Sequence, residues 1–185
     1  MSKIYFSTTN ERKLREARDG CGLLGIGIEP ITLDFEEIQS HDPINITKHK
    51  VSRAYELSGK DHVVVTDTSW NIPSLNGFPG GYMKDVAEWF SADDFINLVK
   101  DKQDKTIIFR ETIAYKDSTE VKVFSRDYKG VIVDSKQSLN GNSIEVVAEF
   151  DGRTLAQSRD LNSTSHNPEE YVWYEFAKWY KENKA

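Results

Sequence analysis

The stretch Val63-Val64-Val65-Thr66-Asp67-Thr68-Ser69-Trp70 decides the fold. Three consecutive valines suit a strand buried on both faces. Asp67 ends that apolar run, so the reading places a carboxylate at the C-terminal end of a buried strand. Ligands of open α/β sheets sit beyond that end. A loop follows, Leu75-Asn76-Gly77-Phe78-Pro79-Gly80-Gly81-Tyr82-Met83-Lys84. Its glycines and prolines give it positive-φ positions and fixed φ values. On these residues alone, a strand-capping Asp before a surface loop explains the stretch as well as a site does.

Working outward toward the N-terminus, Ile4-Tyr5-Phe6 is a short strand that runs into Ser7-Thr8-Thr9-Asn10. Asn10 is a good N-cap for a helix opening at Glu11, and Gly20 and Gly22 are read as its stop. Backbone N–H groups at such a strand-turn-helix junction can hold phosphate oxygens, and Lys13 lies one turn in. A plain βα turn with a solvated basic face fits the same residues. Ile28 to Phe35 reads as a second strand broken by Pro30, followed by Glu36 and Glu37. Asp42 and Pro43 open a helix to about Ser58, with Ile46, Lys50, Ala54 and Leu57 along one side.

Beyond the loop, Met83 to Phe90 reads as a short helix. Ser91 caps another, with Phe95, Leu98 and Val99 as its apolar side. Thr106 to Tyr115 and Val121 to Val133 read as a long antiparallel ribbon around Lys116-Asp117-Ser118-Thr119. Ile144 to Phe150 reads as a strand, and Arg153 to Ser165 as polar and irregular. Asn167 is the expected cap of a last helix with Pro168 at its first position and Val172, Phe176, Trp179 and Tyr180 as its buried stripe. Helices alternating with strands, then a ribbon, predict an α/β protein with a central mixed β-sheet flanked by helices.

The chain has 185 residues, 29% of them charged, with a formal net charge of −6. That balance argues against a broad basic face for a nucleic-acid polymer. Cys21 is the single cysteine, read as a small buried hydrophobe, so no intrachain disulfide and no Cys-rich zinc site can form. No apolar run suggests a signal peptide or a membrane span, and a cytoplasmic protein is expected. His41, His49 and His62 lack ligand spacing and read as surface residues. Trp89, Trp173 and Trp179 read as core or dimer contacts, and Trp70 as either a pocket wall or packing under the loop.

Lys13, the pair Glu36/Glu37 and Asp67 form a chemically coherent set, strand alternation allowing only one of the two glutamates to face a cleft. Carboxylates at neighbouring strand ends can share Mg2+, which takes hard oxygen ligands and usually bridges substrate phosphates. Nucleotide phosphate hydrolysis is one reaction that such a set could serve, each motif being weak by itself.

The order and spacing of these groups resemble the inosine triphosphate pyrophosphatase (ITPase-like) family. Ser7-Thr8-Thr9-Asn10-Glu11-Arg12-Lys13-Leu14 is similar to its opening Thr-Gly-Asn-x-x-Lys-Leu, and Glu37-Ile38-Gln39-Ser40 to its Glu-Ile/Tyr-Gln-Gly. Lys50 and Ala54 match its next helix. Thr66-Asp67-Thr68 resembles its Glu/Asp-Asp-Ser/Thr, and Gly77-Phe78-Pro79-Gly80-Gly81-Tyr82 with Lys84 its Gly-x-Pro-Gly-x-Tyr loop. Ser165-His166 matches the start of its Ser-His-Arg.

The resemblance implies a single domain over residues 1–185, with two lobes around a nucleotide cleft, usually as a homodimer. It implies Mg2+-dependent cleavage of a nucleoside triphosphate to a monophosphate and pyrophosphate, commonly of deaminated purines such as ITP, dITP and XTP. By position, Lys13 and Lys50 contact the polyphosphate, and Thr8, Thr9 and Asn10 cradle phosphate oxygens. Glu37 helps hold the metal, and Asp67 activates water or ligates the metal. Thr68, Lys84, Ser165 and His166 are further substrate contacts.

The departures carry information too. Thr66 stands where a second acidic residue is usual, Thr9 where Gly is, and Asn167 where the Arg of Ser-His-Arg is. The family's aromatic-Gly-aromatic-Asp-Pro segment is not recognisable; Asn142 to Val146 lies roughly there, with Glu145 its acidic residue. A kept phosphate half and a rewritten base half imply an altered base preference. A catalytically weak nucleotide-binding or regulatory protein is the alternative, favoured by Thr66.

Overall fold

A computed structural model describes residues 3–161 and 167–184. The elements are β1 (Lys3–Ser7), α1 (Glu11–Gly22), β2 (Gly27–Ile31), α2 (Pro43–Ser58), β3 (Val63–Ile72), β4 (Phe78–Gly80), α3 (Met83–Trp89), α4 (Ala92–Val99), β5 (Thr106–Lys116), β6 (Val121–Ile132), β7 (Ala148–Phe150), β8 (Arg153–Thr154), α5 (Leu155–Asp160) and α6 (Val172–Asn183). Strand order is β2-β1-β3-β5-β6-β7-β8, with β4 against β3. β1 pairs in parallel with β2 and β3, whereas β3–β4, β6–β7 and β7–β8 are antiparallel. The sheet is mixed and flanked by helices, as the sequence predicts.

The chain divides into two compact units. Residues 1–67, 111–126 and 166–185 form the first, and residues 68–110 and 127–165 the second. In the first, side-chain alternation on β3 splits the three valines. Val64 joins Ile4, Phe6, Leu14, Ala17, Ile113, Trp173 and Phe176 on the face covered by α1 and α6. Val63 and Val65 pack with Val51 and Ala54 of α2 on the other face. The second unit has its own core, in which Trp70, Ile72, Val86, Phe95, Ile107 and Ile132 take part.

Several boundaries differ from the sequence expectation. α1 runs through Gly20 to Gly22. Gly20 is no stop: a Cβ there would lie 2.7 Å from the Trp173 Cβ, so the glycine permits a close helix crossing. β2 ends at Ile31 and includes Pro30, tolerated because β2 is an edge strand. β3 does not end at Asp67; it continues to Ile72, where Trp70 to Ile72 pair with β4. Asp67 is therefore a mid-strand residue.

Residues 144–147 form a turn, fixed by mutual hydrogen bonds between Asn142 and Glu145, and the strand is only Ala148–Phe150. The expected irregular segment from Arg153 holds β8 and α5, the latter capped reciprocally by Thr154 and Gln157. Its end, including Ser165, lies outside the described residues. Pro168–Glu170 is a 3-10 turn, and α6 starts at Val172 with no side-chain cap, so Asn167 is not its N-cap. The Ser91 cap of α4 is found as expected, with Asp94 completing a capping box.

The turn of the β5–β6 ribbon is clamped. Arg110 faces Asp127 and Thr112 faces Ser125, a constant sum that marks antiparallel register. At the turn, the Asp117 carboxylate accepts from Tyr115 Oη (2.8 Å), Thr119 N (2.8 Å), Glu120 N (2.9 Å) and Lys184 Nζ (2.7 Å). His62 Nδ1 lies 2.7 Å from the same Tyr115 hydroxyl. His62 is thus half-buried in this network, contrary to the surface reading. Half-buried His49, with its Nδ1 shielded from solvent, corrects it as well. Burial alone would raise the Asp117 carboxyl; the donors from Lys184, Thr119 and Glu120 outweigh it and hold it far below the usual carboxylate range. No described helix is long and apolar enough to cross a membrane.

Two outcomes follow. Gly20→Ala should lose about 1–3 kcal/mol of stability in denaturant titration through overpacking against Trp173, despite alanine's higher helix propensity. A carboxyl depressed on folding contributes stability above its unfolded pKa, about 4, and loses it as pH falls further. Asp117→Asn should therefore lower the unfolding midpoint at neutral pH and flatten its decline below about pH 4, as read by thermal melts across pH.

Candidate active site

In the first unit, the turn after β1 is built by local hydrogen bonds. Thr8 Oγ1 accepts from Asn10 N (3.1 Å), and Thr8 N donates to Ile31 O (3.2 Å), tying the turn to β2. Asn10 Oδ1 accepts from Arg12 N (3.0 Å) and Lys13 N (3.2 Å). Asn10 is thus the cap of α1 first, and exposed Thr9 presents the turn to solvent.

That cap starts a helix whose first turn brings Lys13 to the sheet. Lys13 is half-buried, and burial is the main cause that lowers its pKa below the ordinary lysine value. The Asp67 carboxylate opposes this most strongly, Lys50 and Arg12 add to the lowering, and Glu111 opposes it more weakly. Lys50, on α2, pairs with Glu37 Oε1 at 2.6 Å. Glu37 lies in the irregular segment between β2 and α2, so strand alternation does not separate it from exposed Glu36; the ion pair does.

The first unit therefore brings together Lys13, Lys50, Glu37 and Asp67, with the Thr8–Asn10 turn at the head of α1. Thr68 and Lys84 belong to the second unit, where Lys84 is exposed on α3. Ser165 and His166 lie outside the described residues.

Thr66 is 9% exposed, and its hydroxyl, fully shielded from solvent, has no hydrogen-bond partner among the described residues. Glu111 is a residue that the sequence reading missed. The available signal was a charged pair, Arg110-Glu111, in the middle of a strand rich in apolar residues. Arg110 makes two bonds to Asp127, at 2.6 and 2.8 Å, while Glu111 acts on Lys13.

Among the described residues, no three His, Cys, Asp or Glu side chains are grouped tightly enough to hold a metal by themselves. The donors present, Glu37 and Asp67, are hard oxygens. They fit Mg2+, which keeps waters and takes substrate phosphate oxygens for the rest of its shell.

Comparison with known proteins gives the family. A model of the Ham1 family matches residues 4–167. The chain belongs to the Ham1, ITPase-like, family. Among its Ham1-type relatives, an inosine triphosphate pyrophosphatase of Candida glabrata is 33% identical over 96% of this chain and 97% of its own length. One of Encephalitozoon intestinalis is 34% identical over 73% of this chain and 70% of its own. A dITP/XTP pyrophosphatase of Hyperthermus butylicus is 27% identical, covering 88% and 87%. The Ham1 protein structure from Coxiella burnetii superposes with a TM-score of 0.79 over 98% of this chain and all of that one, at 18% identity. That likeness shows the Ham1 fold.

The second unit narrows two side-chain readings. Trp70 is buried, with ring centroids 4.9 Å from Phe109 and 6.1 Å from Phe150, so it packs the core. Trp89 is 74% exposed, not core. Glu145 is held by Arg159 (2.5 and 3.0 Å) and accepts from Asn142 N (3.0 Å).

The cap generates a checkable outcome. Asn10→Ala should cost about 1 kcal/mol of stability in denaturant titration, the usual loss of an N-cap.

Proposed function

We propose that this chain hydrolyses nucleoside triphosphates to a monophosphate and pyrophosphate, with Mg2+. The observation that carries the reading is the half-buried Lys13 ammonium facing Asp67, beside the Lys50–Glu37 pair. Two lysines converging where two carboxylates also lie suit a polyphosphate bound with a divalent cation. The names of the Candida and Hyperthermus relatives support the same reaction class.

In this reading Lys13 and Lys50 bind phosphate oxygens, Lys50 leaving Glu37 for them. Thr8, Thr9 and Asn10 shape the turn against which the phosphates rest. Glu37 and Asp67 would hold Mg2+, which when bound supplies positive charge to neutralise the polyphosphate. Asp67 orients a water and accepts its proton as the water oxygen bonds to the α-phosphorus. The bond between the α-phosphorus and the α,β-bridging oxygen breaks, and pyrophosphate leaves with that oxygen. Thr68 and Lys84, together with Ser165 and His166, remain assigned by the resemblance alone.

We also read the base preference as altered relative to enzymes selective for ITP or XTP. The support is Glu145, whose carboxylate is committed to Arg159 and Asn142, in a turn lacking the family's aromatic segment. A site that does not spend hydrogen bonds on a particular base edge discriminates weakly. A homodimer and a cytoplasmic location complete the proposal. Exposed Trp89 suits an interface, and the fold needs no disulfide, its one thiol being buried and pushed up to about 12 by desolvation. Thr66 favours a second reading, nucleotide binding without turnover.

A pyrophosphate-release assay with Mg2+ over standard, deaminated and modified triphosphates separates these readings. Release that falls by about a hundredfold or more in Asp67→Asn is the expected result, as for loss of a positioned base. Nucleotide-dependent thermal stabilisation without release would replace hydrolysis by binding. ITP and dITP turning over far faster than all other triphosphates would remove the altered preference.

A further inference from the structure

We infer that Glu111 is a positioning residue for Lys13, supplying from β5 the second carboxylate of the phosphate site that β3 lacks at Thr66. The inference rests on the polyphosphate reading above and deepens it. Three observations carry it, all within the first unit.

The first is topological. β5 lies beside β3 in the sheet. On β5, Ile113 and Tyr115 pack on the α1/α6 face while Ala114 packs on the α2 face. Side chains two apart share a face. Glu111 therefore stands on the α1/α6 face, as does Thr66, two residues after Val64. Asp67 stands with Val65 on the α2 face.

The second is the orphaned hydroxyl. Thr66 Oγ1 is shielded from solvent, without a hydrogen-bond partner among the described residues, on the face that Glu111 shares. A polar atom in that state is costly unless something pairs with it. A bound phosphate oxygen or water on that face is such a partner.

The third is electrostatic. Lys13 is acted on by carboxylates from both faces of the sheet, Asp67 on one and Glu111 on the other. The other charges facing it are Lys50 and Arg12. Glu111 also acts on Tyr171, which further feels Glu16, Asp19 and Arg12. Asp67 is the stronger of the two, and Glu111 offers the ammonium a second counter-charge that keeps it at the head of α1. Without Glu111 the lysine closes on Asp67, and the ligand loses part of both.

The test is the calorimetric affinity of the full chain for inorganic pyrophosphate with Mg2+. The variants are Glu111→Gln, Glu111→Asp, the relocation Thr66→Glu/Glu111→Gln, and Glu111→Gln in a Lys13→Met background. Thermal melts establish that each is folded.

Glu111→Gln is expected to weaken binding by about tenfold, with Glu111→Asp or the relocated carboxylate restoring it to within about threefold. In Lys13→Met, the Glu111 change should matter by less than about twofold, because its effect acts through the lysine. A purely structural role would not be repaired by a carboxylate on the adjacent strand. Unchanged affinity in Glu111→Gln, a loss that neither carboxylate restores, or a wild type that does not bind pyrophosphate would overturn the inference. Turnover is read separately: a wild type that shows this binding pattern but releases no pyrophosphate from any triphosphate refutes the hydrolysis, and leaves Glu111 in place.

Discussion

The phosphate site proposed for this protein depends on one desolvated cation. Lys13 sits at the first turn of α1, half-buried against the sheet, where burial disfavours its charge. Such a group is tolerated in a folded protein when opposite charges face it. Asp67 and Glu111 provide those charges, and Lys50 and Arg12 keep the balance from being complete. The residual positive character is what a polyphosphate can exploit, since an anion entering there replaces water that the ammonium has already lost.

The fold makes that arrangement by ordinary means. The Asn10 cap fixes where α1 begins, and so fixes Lys13 one turn in. The period-two alternation of β3 sends Val64 and Thr66 to one helical layer and Val65 and Asp67 to the other. Lys50 projects from α2, whose Val51 and Ala54 are buried against the same valines that precede Asp67. Backbone geometry and core packing thus place Lys13, Asp67 and Lys50, while Glu37 is held by its ion pair to Lys50.

The sequence made the elements with strong local chemistry legible. The helix from Pro43 to Ser58, the Ser91 capping box and the long β5–β6 ribbon were each written in caps, turns or length. Asp67 was found, but as a strand end. Its polar run, Thr66 to Ser69, looked like a terminus because the Gly/Pro-rich stretch after it read as a loop, whereas Phe78 to Gly80 pairs back on Trp70 to Ile72. Glu111 was missed because a charge inside a strand resembles an exposed position, and only neighbouring α1 shows what it faces. α5 had a readable Thr154-x-x-Gln157 box that a polar composition concealed. Trp70 could have lined a pocket or a core, and only Phe109 and Phe150 around it decide between the two. The position at 66 had the opposite fate: the sequence showed the missing carboxylate, and the inference that Glu111 replaces it needed the strand order of the sheet.

The most direct test of this account is Lys13→Met, with unfolding and pyrophosphate affinity measured on the same sample. Replacing the ammonium alone relieves its desolvation but takes a counter-ion from Asp67 and Glu111, so the two effects oppose each other in stability. The account predicts a folded variant with at least about a tenfold loss of pyrophosphate affinity. A variant that binds pyrophosphate as tightly as the wild type would show Lys13 to be structural, and would contradict the account at its centre.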